Sequence, residues 1–260
     1  MEASIGDSNK ALVAQRLEIL LAQRDSPLWA GYVNMLKILE SVFPSPKHWI
    51  LEFLQNAEDA RATKISVRLS DDSLWILNNG NNFNQDDFAA ICDVNSMKLP
   101  ALGFRGYIGI GFKSIFRITD HVDVHSGGLH FAFDKSYWDQ SKRKEAYLTK
   151  WPWEILPVGI NPVALPEDFT TGFFVPLQST KGRETLQEIS AFLGSSDFPK
   201  EAILLLKNIT AIDIQTPKLS FTVTKYGKES TYLPDCKREL VLVRRQITSQ
   251  PYPEEAQYLV

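Results

Sequence analysis

The stretch EFLQNAEDA at residues 52–60 is the most informative part of this sequence. Glu52, Asn56 and Asp59 follow one another at intervals of four and three residues, so on a helix their side chains line one stripe. Apolar residues recur around them with helical spacing, and we predict a helix over residues 47–61. Burying the carboxamide of Asn56 is costly unless a partner needs its oxygen. The stripe therefore indicates either a ligand site or a solvated polar face.

The residue types in this polar stripe (Glu52, Asn56 and Asp59) suit phosphate chemistry. The side-chain oxygen of Asn56 is a ligand that Mg²⁺ accepts, since this hard cation keeps several waters and takes further oxygens from phosphates. A glutamate one helical turn before the asparagine can accept a proton from a water molecule that attacks a phosphoryl group. The stripe by itself leaves this interpretation and the surface interpretation open.

A second motif is the glycine-rich stretch RGYIGIGFKS at residues 105–114. Its three glycines let backbone N–H groups approach a ligand closely, and a short helix predicted over residues 112–116 points its positive end toward the same place. The Gly-x-x-Gly-x-Gly spacing differs from that of dinucleotide folds, and the Gly-Lys-Ser/Thr of the Walker loop is missing. A structural turn would explain this stretch in isolation. Together with the polar stripe, it indicates a metal–nucleotide site.

Composition limits the classes of function. The chain has 260 residues, 44% of them hydrophobic, which is enough for one large domain or a domain with an appendage. A net charge of −3 and a pI near 5.9 give no electrostatic case for nucleic-acid binding. Cys92 and Cys236 are the only cysteines, which excludes a disulfide framework and fits a reducing compartment. Since the sequence has neither the order of a signal peptide nor an apolar run of roughly 20 residues, we expect an intracellular protein, cytoplasmic or nuclear, without a membrane partner.

The remaining pattern predicts an α+β fold, a two-layer sandwich in which helices cover one face of a mixed, mostly antiparallel sheet. We expect an N-terminal helical extension in residues 1–46, the main domain in residues 47–225, and a C-terminal segment in residues 226–260 that leads to a downstream domain. Residues 251–260 show no element. The predicted strands lie at 64–69, 74–77, 121–125, 129–133, 173–177, 210–214 and 219–224, and the further predicted helices at 85–91, 185–193 and 202–206.

In this order the motifs resemble the GHKL ATPase family, which includes DNA gyrase B, the MutL mismatch-repair proteins and histidine kinases. Residues 56–65, NAEDARATKI, look like the MutL-type sequence, and residues 74–83, LWILNNGNNF, fall where the family has its Asp-x-Gly-x-Gly loop. The glycine-rich stretch and residues 171–177, TGFFVPL, resemble the last two family boxes. Residues 105–120 and 204–214 look closest to the sacsin and NO VEIN branch.

The resemblance implies a Bergerat-type fold that binds ATP or ADP with Mg²⁺ and hydrolyses ATP. Glu52 would be the general base, Asn56 the magnesium ligand and Asp59 a supporting group beside the nucleotide. Gly80 would let the backbone pass close to the adenine, and Thr171 would help to hold the adenine or its bridging water. The other implied nucleotide contacts are Phe83, Lys98 in the lid, Gly106, Tyr107, Ile108, Gly109, Ile110, Gly111, Phe112 and Lys113.

Two positions depart from the family pattern. The aspartate that reads adenine in the family is Asn78 here, and Asn82 stands at the second glycine of that loop. An amide oxygen accepts a hydrogen bond from the adenine amino group but brings less charge, so base selectivity is in question. Because family members take a lysine or arginine from a following domain, we expect slow turnover by this chain alone.

Two functions stay open. The first is an ATPase module of a larger chaperone-like or defence-type protein, whose lid closure signals the nucleotide state. The second is a sensor that binds nucleotide without hydrolysing it and switches partner interactions. The expected partners are ATP, other domains of a longer chain, and a client protein or a second copy of this chain.

Two smaller groups favour ordinary structural roles. His121, His125 and His130 lie close in sequence, and a surface or core place is favoured over metal binding. Trp151 and Trp153 flank a proline, and core packing is favoured over a partner-binding patch.

Overall fold

The computed structural model describes residues 2–23, 31, 34, 48–93, 111–140, 152–178, 180–195, 198–233 and 236–259. Within these ranges the fold is α+β. Its α-helices are α1 (Glu2–Ala22), α2 (His48–Asp59), α3 (Gln85–Ile91), α4 (Lys135–Gln140), α5 (Thr180–Leu193) and α6 (Phe198–Leu204). Its 3-10 helices are η1 (Gly111–Arg117) and η2 (Trp153–Ile155). Its strands are β1 (Lys64–Leu69), β2 (Ser73–Asn78), β3 (His121–Ser126), β4 (Leu129–Asp134), β5 (Val158–Gly159), β6 (Thr171–Pro176), β7 (Ala211–Gln215), β8 (Ser220–Leu233), β9 (Cys236–Ile247) and β10 (Glu254–Leu259).

The strands form one mixed sheet of ten strands in the order β10-β9-β8-β7-β1-β2-β6-β3-β4-β5. Among these described strands, every neighbouring pair is antiparallel except β1 and β7, which run parallel. The chain therefore enters the middle of the sheet at β1, adds strands on one side through β6, and returns to the other side of β1 with β7.

A row of apolar side chains crosses the middle of the sheet on the face that meets α2. Successive register pairs join Ile214, Val67, Ile76, Phe173, Val124 and Phe131, none more than 5% exposed. Phe53 of α2 packs edge-on against Phe173, with ring centroids 4.7 Å apart. Alternation of side chains along each strand produces this row, and the aromatic contact fixes α2 above β6.

Helix α2 ends in a Schellman motif. Arg61 adopts a left-handed backbone with φ of 60°. The N–H of Ala62 then donates to the carbonyl of Ala57 at 2.9 Å, and the N–H of Arg61 to that of Glu58 at 3.0 Å. This termination satisfies the last carbonyls of the helix and turns the chain directly into β1.

The predicted helix over residues 47–61, the helix at 85–91 and the hairpin of β3 and β4 are confirmed. The prediction that residues 251–260 carry no element is wrong, because β10 pairs there with β9. Strand β8 runs through the predicted domain boundary at residue 225 and continues to Leu233. The C-terminal strands β9 and β10 extend the same sheet.

Candidate functional site

A cavity of about 310 Å³ lies beside α2. Its walls come from α2, the loop after β2, helix α3, the start of η1 and the first residues of β6. The lining residues are Glu52, Phe53, Asn56, Asp59, Ala60, Asn78, Asn81, Asn82, Phe83, Asn84, Asp87, Ala90, Ile91, Gly111, Phe112, Thr171 and Phe173.

The polar stripe of α2 faces this cavity. Glu52, Asn56 and Asp59 all line it and are all half-buried, while Phe53 and Ala57 of the same helix are buried. Helical periodicity explains the division, since the buried residues and the polar stripe occupy adjacent faces. The sequence pattern therefore located a set of side chains that the structure brings together in one place.

The carboxylate of Glu52 lies directly against the backbone of Gly111, where η1 begins. An ideal Cβ atom on Gly111 would lie 1.8 Å from Oε2 of Glu52 and 2.1 Å from its Cδ. No real Cβ comes that close to another heavy atom, so only glycine permits this approach. The first motif and the last glycine of the second motif are therefore in van der Waals contact.

The loop after β2 is held by backbone and amide hydrogen bonds. Oδ1 of Asn78 accepts from the N–H of Gly80 at 3.0 Å. Oδ1 of Asn79 accepts from the N–H groups of Thr63 and Lys64, both at 2.9 Å. These side chains supply acceptors to turn backbone that has no ladder partner. Gly80 itself does not line the cavity but sits behind it.

We expect Gly80→Ala to destabilise the fold by about 2 kcal/mol through overpacking. A Cβ at this position would lie 2.7 Å from the carbonyl oxygen of Ala60 and 2.9 Å from its Cβ, and neither atom can rotate away. Urea unfolding measures the loss. Gly159→Ala is the matched control, because a Cβ there meets nothing within 4 Å. Equal midpoints for the two variants would contradict the close approach.

A buried hydroxyl pair stands beside Asn78. Oγ of Ser126 and Oγ1 of Thr171 lie 2.6 Å apart, and both residues are 1% exposed. The same Ser126 Oγ accepts from the N–H of Phe83 at 2.9 Å. Asn78 and Thr171 are direct register partners between β2 and β6, so their side chains lie on the same face. Sequence reasoning named Thr171 and Phe83 but missed Ser126, which only its register with Thr171 reveals.

One wall of the cavity is aromatic. Phe173 lies 4.7 Å from Phe53, 5.8 Å from Phe112 and 6.3 Å from Phe83 between ring centroids. Phe53, Phe83, Phe112 and Phe173 all line the cavity. Such a wall offers apolar ring faces and edges against which a planar ring can pack.

The other walls are acidic. Glu52, Asp59 and Asp87 line the cavity, and the described lining residues include no lysine or arginine. Asp87 also closes the N-terminus of α3, where its side chain accepts from the N–H of Asn84 at 3.1 Å. Within the described ranges, no three His, Cys, Asp or Glu side chains are grouped so that they could hold a metal ion by themselves.

Lys113 points away from this cavity. It is 4% exposed, and its Nζ donates to the carbonyls of Ile91 at 2.5 Å and Glu154 at 2.6 Å. The ammonium lies 4.5 Å from the ring centroid of Phe133, and burial lowers the pKa of Lys113 to about 8. In this structure Lys113 ties α3 to η2 and does not line the cavity, although the sequence proposed it as a phosphate partner.

Eight of the proposed site residues line the cavity: Glu52, Asn56, Asp59, Asn78, Phe83, Gly111, Phe112 and Thr171. Six others lie outside the described residues: Lys98, Gly106, Tyr107, Ile108, Gly109 and Ile110. Their proposed contacts stay predictions. Besides Ser126, sequence reasoning missed Asp87, whose place after Asn84 signals only a helix cap.

The three histidines of the β3–β4 hairpin and Trp153 make contacts within the fold. Nε2 of His121 lies 2.7 Å from Asp123, and its Nδ1 lies 3.3 Å from Asp134, so the hydrogen bond and charge of Asp123, with Asp134 beside it, raise the pKa of His121. Nδ1 of His125 lies 3.0 Å from Nδ1 of His130, and burial lowers the pKa of both. Trp153 is buried against Phe116 at 4.7 Å. Trp151 lies outside the described residues.

Among the described helices, none combines the length and apolar character that a membrane crossing needs. No protein-family model matches the sequence. The chain is 37% identical over 103 residues to Protein NO VEIN of Arabidopsis thaliana and 32% identical over 113 residues to sacsin of Homo sapiens. These matches cover 37% and 36% of this chain but only 4% of NO VEIN and 2% of sacsin. The chain is therefore similar, over about a third of its length, to small parts of two much larger proteins.

Proposed function

We propose that this chain is a Mg²⁺-dependent ATP-binding and ATP-hydrolysing module of the GHKL type, with the two-layer Bergerat sandwich as its fold. It would serve a larger chaperone-like or defence-type protein. The observation that carries the proposal is the cavity where the polar stripe of α2 meets Gly111 and Phe112. The similarity to NO VEIN and sacsin supports the proposed branch of the family.

The cavity suits a nucleotide in size and in the order of its walls. Its volume of about 310 Å³ lies at the lower end of the range of small-molecule sites. The base would lie toward Phe83 and Phe173, close to Asn78 and Thr171. The phosphates would extend along Glu52 and Asn56 toward the start of η1, where backbone N–H groups suit anions.

The acidic lining implies a requirement for a cation. Glu52, Asp59 and Asp87 would repel a triphosphate, because the described lining supplies no positive side chain to offset them. Asn56 would hold Mg²⁺ through its Oδ1, and waters and phosphate oxygens would be the other ligands of this cation. The cation would supply the positive charge that offsets the repulsion between the phosphates and the three carboxylates.

Glu52 is the proposed general base. It lies one helical turn before Asn56, so its carboxylate is placed beside the end of the nucleotide that Asn56 would hold. There it would orient a water molecule and take its proton as the water attacks the γ-phosphate. The contact of this carboxylate with Gly111 restricts its position before the nucleotide arrives.

The second candidate is a nucleotide sensor that does not hydrolyse ATP and switches partner interactions. Asn78, in place of the family's adenine-reading aspartate, favours it. Both candidates need the same cavity and differ only in whether phosphate is released.

Calorimetric titration with ADP and with a non-hydrolysable ATP analogue tests the shared part of the proposal. We expect binding with Mg²⁺ and weakening by roughly tenfold or more after chelation of Mg²⁺. Asn56→Ala should remove the Mg²⁺ dependence together with most of the affinity. Gln55→Ala, on the same helix but outside the cavity lining, is the control and should bind like the unaltered chain. No binding by the unaltered chain would overturn the proposal.

A further inference from the structure

Asn78 lines the part of the cavity where the base of the nucleotide would lie. The fold determines which atom of its side-chain amide is available to a ligand. Its Oδ1 accepts from the N–H of Gly80 at 3.0 Å, and an ideal Cβ on Gly80 would lie 3.1 Å from the same oxygen. A backbone N–H can only donate, so the atom that faces it must be the amide oxygen. The amide nitrogen is therefore the atom that points to the other side.

That nitrogen is available to a ligand. Asn78 is only 6% exposed, yet it lines the cavity. No described residue accepts a hydrogen bond from its Nδ2, and this atom is not among the described buried polar atoms that lack a partner. Nδ2 of Asn78 is therefore an N–H donor without a protein acceptor among the described residues, on a side chain that lines the cavity.

The neighbouring hydroxyls do not fix the polarity of this end. Thr171 lies opposite Asn78 in the register, and its Oγ1 shares one hydrogen bond with Ser126. Either hydroxyl can be the donor in that pair, so Thr171 can present a donor or an acceptor to a ligand. Of these two register partners, Asn78 presents the fixed group, and its free group is a hydrogen-bond donor.

We propose that Asn78 makes the cavity favour a purine whose position 6 carries an oxygen over one that carries an amino group. This inference rests on the proposed nucleotide site and names the base that the site reads. An aspartate at this position would present acceptors, which suit the 6-amino group of adenine. A donor there suits a 6-oxo group, because a buried donor facing another donor is left without a partner.

Titration with the Mg²⁺ complexes of ADP and inosine diphosphate tests this choice. The two bases differ at position 6, which carries an amino group in ADP and an oxygen in inosine diphosphate, and at N1, which carries a proton only in inosine diphosphate. We expect the unaltered chain to bind inosine diphosphate at least as tightly as ADP. Asn78→Asp should change the ratio of the two dissociation constants by roughly tenfold or more in favour of ADP. The loop should survive, because an aspartate oxygen still accepts from the N–H of Gly80.

The control is Asn79→Asp, which adds the same charge one residue away on a side chain that does not line the cavity. It should leave the ratio unchanged. A tenfold preference of the unaltered chain for ADP, or an unchanged ratio in Asn78→Asp, overturns the inference while leaving the nucleotide site intact. Absence of binding of both diphosphates overturns the proposed function, and the inference with it.

Discussion

We expect Glu52→Gln to lower the rate of ATP hydrolysis by roughly 10² to 10⁴-fold while leaving nucleotide binding nearly unchanged. The amide keeps the size of the side chain and its packing against Gly111, but it cannot take the proton of the attacking water. Phosphate release measured on the same preparation that is titrated with ADP separates the two effects. Full turnover by this variant would exclude Glu52 as the general base.

The same measurement distinguishes the two candidate functions. Glu188→Gln on α5 is the control, since this exposed carboxylate does not line the cavity and should not affect turnover. If the unaltered chain binds ADP but releases phosphate no faster than Glu52→Gln, the sensor is the better description.

The second large effect concerns Glu58, the neighbour of Asp59 on α2. Its carboxylate is 5% exposed and accepts from the backbone N–H groups of Lys207 at 2.7 Å, Asn208 at 2.8 Å and Ile209 at 3.1 Å. One side chain thus joins the end of α2 to the segment that leads into β7. We expect Glu58→Ala to reduce the free energy of unfolding by about 3 kcal/mol, because these donors lose a charged acceptor.

Urea unfolding measures this loss. The stability of Glu58→Gln should lie between that of the unaltered chain and that of Glu58→Ala, since glutamine keeps one acceptor oxygen but loses the charge. Glu188→Ala is the control and should change stability by no more than about 0.5 kcal/mol. A loss below about 1 kcal/mol in Glu58→Ala would show that the donors find water or other acceptors in its place.

The sequence predicted the helix α2 and its polar stripe because local periodicity determines both. Trp49, Phe53 and Ala57 are buried, and helical periodicity places Asn56 at the edge of that buried face, next to Glu52. The same argument predicted β1, β2 and the hairpin of β3 and β4, whose side chains alternate. Features that depend on one element at a time were accessible from sequence.

Features that depend on a partner distant in sequence could not be predicted. The charged residues of β9 obscure its alternation, yet Arg245 stacks on Phe221 at 4.2 Å and lies 3.4 Å from Glu254. Arg244 lies 2.7 Å from Glu255 on β10. These cross-strand pairs give both arginines partners within the sheet, and they can be identified only when the register is known.

Lys113 and Ser126 show the same limit within the site. Lys113 belongs to the glycine-rich stretch, but its ammonium donates to carbonyls of α3 and η2. Ser126 precedes the turn at Gly127, where a serine is typical of ordinary turn chemistry. Its pairing with Thr171, 45 residues later, is what places it beside the cavity.

The single parallel pairing of β1 with β7 has a consequence for how the chain acquires its structure. Oγ of Ser66 donates to Asp213 at 2.8 Å across 147 residues of sequence, so β1 obtains this neighbour only after β7 has been synthesised. Until then, the edge of β1 that later pairs with β7 has unpaired N–H and C=O groups. Such an edge can form incorrect hydrogen bonds with other strands. The hydrogen bonds of helix α2 are local, whereas the sheet beneath it needs a pairing between residues far apart in sequence, and such pairings form more slowly than local contacts.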